Sequence, residues 1–302
     1  MFKKTATTAA WLGCLLAACA QEQVSLSERS EAIPEFDVAR AIFSYEGDTD
    51  FDGAPGNLSM SRLEIRSLLS GPIKPLDGLT LIPVFEYELT HLDFDDAGAG
   101  FPINDDDLHS VSASVFALKT QQGSPWFYGA WARAEMAGDY QKIGGDDFTF
   151  DVAGGVGYRF NDCFSLAFGG VLTNINGDAT FYPGIGFDWM VSNEIRIGLY
   201  GPTFLASYAP DENWELGFRG EPGGGVWNVT DQQGRSSSVD ITSYRLGVYA
   251  SHRITGKLWL TAGAGMSLGN EISLTEPDGD EYYEQDLDSG LFGMVMLRLR
   301  TW

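Results

Sequence analysis

An acidic repeat near the start of the chain has the spacing of a calcium-binding loop. Asp48, Asp50 and Asp52 alternate with other residues, and Gly53 follows directly. Carboxylate oxygens at alternate positions can converge on a hard cation such as Ca²⁺, and a glycine permits the sharp turn that this requires. The complete EF-hand pattern ends in a glutamate, and this chain has Ser59 at that position. The sequence therefore offers a candidate Ca²⁺ site at the three aspartates, with a solvated acidic loop as the alternative.

Two histidines flank a later acidic segment and are candidates for metal or hydrolytic chemistry. His91 and His109 would lie nearly opposite each other across a hairpin, beside Asp93 and Asp95. Imidazole and carboxylate groups together bind transition metals, and an imidazole beside a serine hydroxyl can act as a base in hydrolysis. Both histidines share the apolar face of their strands, whereas the nearest serines point the other way, namely Ser110, Ser112 and Ser114. We therefore expect interfacial side chains here, no metal site at the histidines, and no enzyme.

Strands of alternating polarity are the elements that would position these residues. Residues 148–160 carry mostly aromatic and aliphatic side chains at even positions, and polar or small ones at odd positions. Residues 79–89 repeat the pattern, with Glu86 and Glu88 on the polar face. Alternation with a period of two predicts β-strands. Because charged residues recur on one face of long strands, the pattern favours a transmembrane barrel with a polar lumen over a soluble sandwich.

The all-β interpretation gives a single antiparallel transmembrane barrel of about fourteen strands, or about twelve if the shortest segments are not strands. Long outer connections alternate with short periplasmic turns; the long ones are predicted at 46–59, 92–108, 138–147, 174–179, 221–238 and 269–289. They hold most of the acidic residues behind the net charge of −23, with Lys142 and Arg235 as their only basic residues. The glycines at 223–225 would form a flexible outer loop tip.

Aromatic residues and lumen charges give two further expectations. Tryptophans near the periplasmic turns should form an interfacial girdle, namely Trp126, Trp189, Trp214, Trp259 and Trp302. The charges predicted to face the lumen are mixed in sign: Arg62, Glu64, Arg66, Glu86, Glu88, Arg133, Glu135, Asp151, Arg159, Arg196, Glu215, Arg219, Arg245, Arg298 and Arg300. Interlocked pairs of such charges can close a lumen, whereas hydrated ones can line a pore and set its ion preference. The width of a barrel of about fourteen strands favours a passage.

The N-terminus predicts export. Lys3 and Lys4 precede a short apolar run, as in a secretory signal peptide over residues 1–20. Cleavage would fall before Gln21 or, if Leu16-Ala17-Ala18-Cys19 acts as a lipobox, before a lipid-bearing Cys19. Residues 21–35 would be a flexible periplasmic lead-in and residues 36–302 the barrel. We expect a Gram-negative-type outer membrane, with its lipids and the barrel-assembly machinery as partners. The acidic balance argues against nucleic acid.

The C-terminal two-thirds of the chain resembles an uncharacterised family of outer-membrane β-barrels known only as a domain of unknown function. The resemblance rests on residues 194–229, on residues 243–274 and on the closing strand, which are strand–turn–strand units with a tryptophan after the turn. It implies a barrel in the cell envelope. It implies no substrate and no active site.

Three functions from different classes remain as hypotheses. The first is a porin-like channel for small solutes, whose acidic mouth favours cations. The second is a closed structural or surface-binding barrel, whose outer loops bind divalent cations. The third, and least favoured, is an outer-membrane lipid hydrolase, since no Ser/His/acid set has credible spacing. The oligomeric state stays open.

Overall fold

A computed structural model describes residues 37–95, 102–103, 106–175, 178–231, 234–276 and 280–300 of the chain. The predicted signal peptide, Cys19, the lead-in at 21–35 and Trp302 lie outside these residues. Among the described residues, no helix is long and apolar enough to cross a membrane. The strands are β1 (Asp37–Asp50), β2 (Asn57–Leu68), β3 (Ile73–Leu76), β4 (Leu79–Asp95), β5 (Asp106–Thr120), β6 (Trp126–Gly138), β7 (Phe148–Asn161), β8 (Phe164–Ile175), β9 (Asp178–Met190), β10 (Ile195–Tyr200), β11 (Thr203–Tyr208), β12 (Trp214–Thr230), β13 (Ser236–Thr255), β14 (Leu258–Thr275), β15 (Glu281–Leu287) and β16 (Gly290–Arg300).

The strands close into a single antiparallel barrel. Each barrel strand pairs with its neighbours along the chain, and β1 pairs with both β2 and β16, which closes a ring of 14 strands. The short strands β3 and β15 only lengthen hairpins, by pairing with β4 and β14. The predicted fold class and the strand number of about fourteen are therefore confirmed. We call the end with the acidic β1–β2, β4–β5 and β6–β7 connections the outer end, and the end where β1 begins the inner end.

The alternation of side chains divides the wall as the sequence predicts. Apolar residues on the outside are exposed in a continuous band, for example Phe168, Val248 and Leu291. Trp126, Trp189 and Trp214 are exposed near the inner turns, as predicted for an interfacial girdle. The prediction was wrong for Trp259, which is only 5% exposed and faces the lumen. The guanidinium of Arg300 lies 4.1 Å from its ring centroid, so Trp259 serves a lumen arginine as a cation–π partner.

The predicted outer loop at 221–238 is mostly strand. β12 and β13 form one long hairpin, and every residue from 214 to 230 pairs with a residue of β13. The glycines at 223–225 lie inside β12, so their assignment to a flexible loop tip was wrong. Gly224 has a φ of 85°, and a Cβ atom there would collide with the carbonyl oxygen of Ile241. Glycine is needed at this point because the positive φ, which bends the strand, and the close Ile241 carbonyl both exclude a Cβ atom. The ladder with β13 continues through the bend without a register shift.

One part of the wall is much lower than the rest. β10 and β11 contain 6 residues each, whereas β9 has 13 and β12 has 17. Above this low hairpin, β12 leaves the wall and crosses the barrel, because Asn228 pairs with Gly138 at the end of β6. We call residues 221–230 of β12 the crossing segment.

Candidate functional site: the charged lumen and the strand that crosses it

Ion pairs fill the middle of the lumen. Arg40 Nε lies 2.9 Å from Glu64 Oε1, and Arg62 and Arg66 face carboxylates of β4. Burial of a charge inside the barrel is costly unless a partner of opposite sign neutralises it. Such pairs include these lumen charges predicted from sequence: Arg62, Glu64, Arg66, Glu86, Glu88, Arg133, Glu135, Asp151, Arg196, Glu215, Arg219, Arg245 and Arg300.

Some of these pairs span the lumen instead of joining neighbouring strands. Arg245 of β13 lies 2.8 Å from Glu46 of β1, although β14 and β16 stand between them in the wall. Arg300 of β16 lies 2.8 Å from Glu215 of β12 in the same way. Arg298 donates a hydrogen bond to the Ser251 hydroxyl. The charged layer therefore links strands from different parts of the barrel across its interior.

Apolar residues pack on the inner side of the charged layer. They come from β4, β5, β6, β7, β8 and β10, and we call them the inner apolar cluster: Ile82, Val84, Phe116, Leu118, Phe127, Trp131, Ala153, Ala167, Val171 and Tyr200. Tyr200 also donates a hydrogen bond to Asp188, which accepts another from Arg196. The lumen is therefore not polar along its whole length.

A second apolar layer lies on the outer side of the charges. Leu58, Met60, Leu92 and Leu108 turn inward from β2, β4 and β5, and they are at most 5% exposed. The crossing segment supplies Trp227 to this layer. The full set, the outer apolar cluster, is Phe51, Leu58, Met60, Leu92, Ile103, Leu108, Ala137, Trp227, Val229, Val239, Ile241, Ile272, Leu274 and Leu287. Because these side chains pack together inside the ring of strands, they obstruct the axial path at the outer end.

Hydrogen bonds hold the crossing segment in place. Arg62 donates to the carbonyl oxygen of Gly224 at 2.8 Å, and its guanidinium lies 5.8 Å from the Trp227 ring centroid. At the far side, the Asp139 backbone N–H donates to the Asn228 carbonyl, and Asp139 Oδ2 accepts the Thr230 N–H at 2.6 Å. The glycine at 138 permits this approach, since a Cβ atom there would lie 2.5 Å from the Asn228 oxygen.

Both basic residues of the predicted outer loops contact the β12–β13 turn. Lys142 Nζ donates to the Gly234 carbonyl at 2.6 Å. Arg235 pairs with Asp231 at 2.8 Å and with Glu276 at 3.1 Å. The two cations reduce the repulsion between carboxylates at the outer end. They also link the β12–β13 turn to the β6–β7 connection and to Glu276 after β14.

The candidate Ca²⁺ residues lie apart from the lumen. Asp48, Asp50 and Asp52 are exposed, at the end of β1 and in the turn that follows. Within the described ranges, no group of three or more His, Cys, Asp or Glu side chains is arranged to hold a metal ion. The Ca²⁺ site at these aspartates stays a prediction.

His91 and His109 contact different partners. His91 Nδ1 lies 2.8 Å from Asp107 Oδ1, while His109 Nδ1 lies 2.9 Å from the Tyr87 hydroxyl and its ring stacks on Tyr140. The serines of β5 are buried on the lumen side, namely Ser110, Ser112 and Ser114. Neither histidine is thus paired with a serine of this segment. The expectation that the protein is not an enzyme stays a prediction.

The sequence analysis did not identify several residues that face the lumen. Arg40, Glu46 and Asp188 have the parity of other inward residues on their strands, so period-two alternation could have found them. Glu221 was assigned to an outer loop, although it pairs with Arg219 at 2.7 Å. The inward parity of Leu58 and Met60 with Arg62 was the available signal for the outer apolar cluster.

The fold and the lumen define a β-barrel with an apolar outer band and a charged interior. The chain belongs to the family described as domain of unknown function DUF6268, whose model matches residues 83–300. The predicted resemblance to a barrel family of unknown function is thereby confirmed. No curated protein matches the chain.

Solved structures of similar shape include three barrels. An outer membrane channel from Pseudomonas putida F1 has a TM-score of 0.49 and 12% identity, over 91% of this chain and 100% of that one. The Pseudomonas putida toluene transporter TodX has a TM-score of 0.32 and 10% identity, over 87% and 90%. The transport unit of the autotransporter AIDA-I from Escherichia coli has a TM-score of 0.34 and 9% identity, over 98% and 99%.

Proposed function

We propose that the protein is an integral outer-membrane barrel that conducts small solutes and that is closed at its outer end in its resting state. The observation that carries this proposal is the path of the crossing segment, which leaves the wall and spans the lumen to β6. The exposed apolar band supports a membrane location, since lipid accommodates closed barrels whose backbone groups are paired within the wall.

The crossing segment has the features of a movable element. It begins at a run of proline and glycines, Pro222 to Gly225, and one of these glycines has a positive φ. Beyond its hairpin partner β13, it is held by a few polar contacts with Arg62 and Asp139 and by the packing of Trp227 and Val229. If the segment moved out of the lumen, the charged middle layer would face an open path.

We further propose that the open barrel prefers cations. The outer end is rich in acidic residues, and a negative potential at a mouth raises the local concentration of cations and disfavours anions. The middle layer contains arginines and carboxylates in pairs, so its own contribution is close to neutral. Selectivity would therefore arise mainly at the acidic outer surface.

The test is single-molecule conductance in a planar bilayer. The wild-type protein should give rare cation-preferring steps. Asp139→Ala removes the acceptor of the Thr230 N–H, and the loss of one hydrogen bond to a charged group, about 1.5 kcal/mol, should raise the open fraction about ten-fold. Asp50→Ala is the matched control, because its side chain is exposed at the outer end and makes no hydrogen bond to the crossing segment within the described ranges. The open fraction of this variant should equal that of the wild type.

A second candidate function is a permanently closed structural or surface-binding barrel. The outer apolar cluster favours it, because opening would expose side chains that are now almost completely buried. Silence from both the wild type and Asp139→Ala, with folded barrels shown by circular dichroism, would support this candidate over the channel. A rise in melting temperature with Ca²⁺ that is lost in Asp48→Asn/Asp50→Asn/Asp52→Asn would then point to cation-dependent outer loops.

A further inference from the structure

The low hairpin leaves one edge of β9 without a neighbour. β9 pairs with β8 along its whole length, but it pairs with β10 only from Gly186 to Met190. Residues 178–184 therefore have no strand partner on that side among the described residues. Such an edge is unusual in a membrane barrel, where each backbone N–H and C=O must find a partner because lipid offers none.

The facing edge of β12 is open as well. β12 pairs with β11 only from Leu216 to Gly220, and its next partner on that side in the described structure is Gly138 of β6. The crossing segment touches the outer parts of β5 and β6 but makes no extended contact with β9 within the described residues. A gap thus separates β9 from β12 above the β10–β11 turn. We call it the lateral cleft.

The lateral cleft opens within the apolar band. Phe181, in the unpaired part of β9, is 62% exposed on the outer surface. It pairs with Leu172 of β8, which is exposed on the same surface and pairs in turn with Val152 of β7. An apolar band that continues past the β10–β11 turn means that lipid chains, not water, border this side of the cleft.

A charged floor lies behind the apolar rim. Arg219, which still pairs with β11, and Glu221, which begins the crossing segment, are 37% and 30% exposed, whereas Arg245 and Glu46 are 11% and 8% exposed. Arg219 Nε is buried and has no hydrogen-bond partner among the described residues. That buried atom is out of reach of a bound molecule, but Glu221 pairs with Nη2 of a side chain that is 37% exposed, so the remaining guanidinium donors can meet an acceptor from a bound molecule.

We propose that the lateral cleft binds a single-chain amphiphile with an anionic head group, taken up from the outer half of the membrane. The chain lies against Phe181 and Pro183, and the head accepts hydrogen bonds from Arg219. The acidic outer end disfavours the approach of an anion from the aqueous side. The membrane side of the cleft avoids that barrier. This proposal shares with the channel only the membrane location, and it needs no opening of the crossing segment.

Photocrosslinking in detergent micelles tests the lateral cleft, with a diazirine-bearing long-chain carboxylate as the probe and mass spectrometry to locate the adducts. We expect adducts at residues 180–184 and 219–224 that excess stearate suppresses, above an unsuppressed background over the apolar band. Arg219→Met should lower these adducts about ten-fold. Arg253→Met, which removes an arginine of similar exposure at the inner end, should leave them unchanged.

A second variant fills the gap without touching Arg219. Insertion of Val-Thr after Tyr200 and again before Thr203 lengthens β10 and β11, so that they can pair with the free edge of β9. The same insertions on either side of Gly53 in the β1–β2 turn are the control. Suppressible adducts should disappear only in the first variant, while the conductance of both stays that of the wild type.

Three results would overturn the proposal. Adducts spread evenly over the apolar band would show that no site exists. Adducts at the cleft that persist in Arg219→Met would show that no anionic head is bound there. Crosslinked protein dimers through β9 or β12 would show that a strand of a second copy covers these edges instead.

Discussion

The wall from β1 to β8 and the wall from β9 to β12 are built differently. In the first, long strands pair along most of their length, and most inward charges have a partner of opposite sign on a nearby strand. In the second, β10 and β11 have 6 residues each and β12 leaves the ring. The regular side shows how alternation alone makes a barrel. The irregular side shows that a short hairpin next to a long one forces the long strand to find partners elsewhere, here across the lumen.

Removal of a lumen arginine should have the largest effect on stability, and the effect should differ between the two sides. Arg40→Met on the regular side leaves Glu64 and Glu86 without their shared cation inside the barrel, which should cost about 3 to 5 kcal/mol of unfolding free energy. Arg219→Met on the irregular side should cost less than about 1 kcal/mol, because that pair is more exposed. Urea unfolding in lipid vesicles measures both. Equal costs would mean that the lumen is hydrated alike on both sides.

A backbone substitution should have the next largest effect. Gly224→Ala should destabilise the barrel by about 2 kcal/mol or more, because the left-handed conformation is strained and the new Cβ atom meets the Ile241 carbonyl. Gly123→Ala, at a positive φ of 76° in open space, is the control and should cost about 1 kcal/mol. Thermal unfolding compares the two. A cost for Gly224→Ala no greater than that of the control would contradict a tight bend in β12.

The smallest effect concerns the acidic outer end. Burial raises the pKa of Asp106 at the tip of β5, and the nearby Asp139 carboxylate adds to the rise. A raised pKa means that this group favours the folded state below its unfolded pKa and that this contribution is lost as the pH rises through the folded pKa. Asp106→Asn should therefore stabilise the protein at neutral pH, by up to about 0.5 kcal/mol, and lose its advantage in acid. A melting-temperature series from acid to neutral pH tests this, with the exposed Asp50→Asn as the control.

Most of the fold could be predicted from the sequence, because period-two alternation is a local property of a strand. It identified the strands, the face of each and most of the lumen charges. It failed where a strand continues beyond its predicted end, as at Glu46 in β1, and where the composition of a segment suggested a loop. The glycines at 223–225 are such a case, since a proline–glycine run is typical of loops yet here allows a paired strand to bend. Trp259 was misplaced because proximity to a turn does not say which face a residue occupies.

The amino-acid sequence by itself determined that this chain forms a barrel with an apolar outside, a charged lumen and an acidic outer end, since these follow from the local order of polar and apolar residues. The tertiary structure alone decided that β12 reaches β6 at the outer end, where the outer apolar cluster packs, and that one edge of β9 has no strand neighbour. Both depend on the contact between Asn228 and Gly138, which are 90 positions apart in the chain. Such a contact exists only after the strands between them have assembled into a curved wall, so no local pattern of residues encodes it.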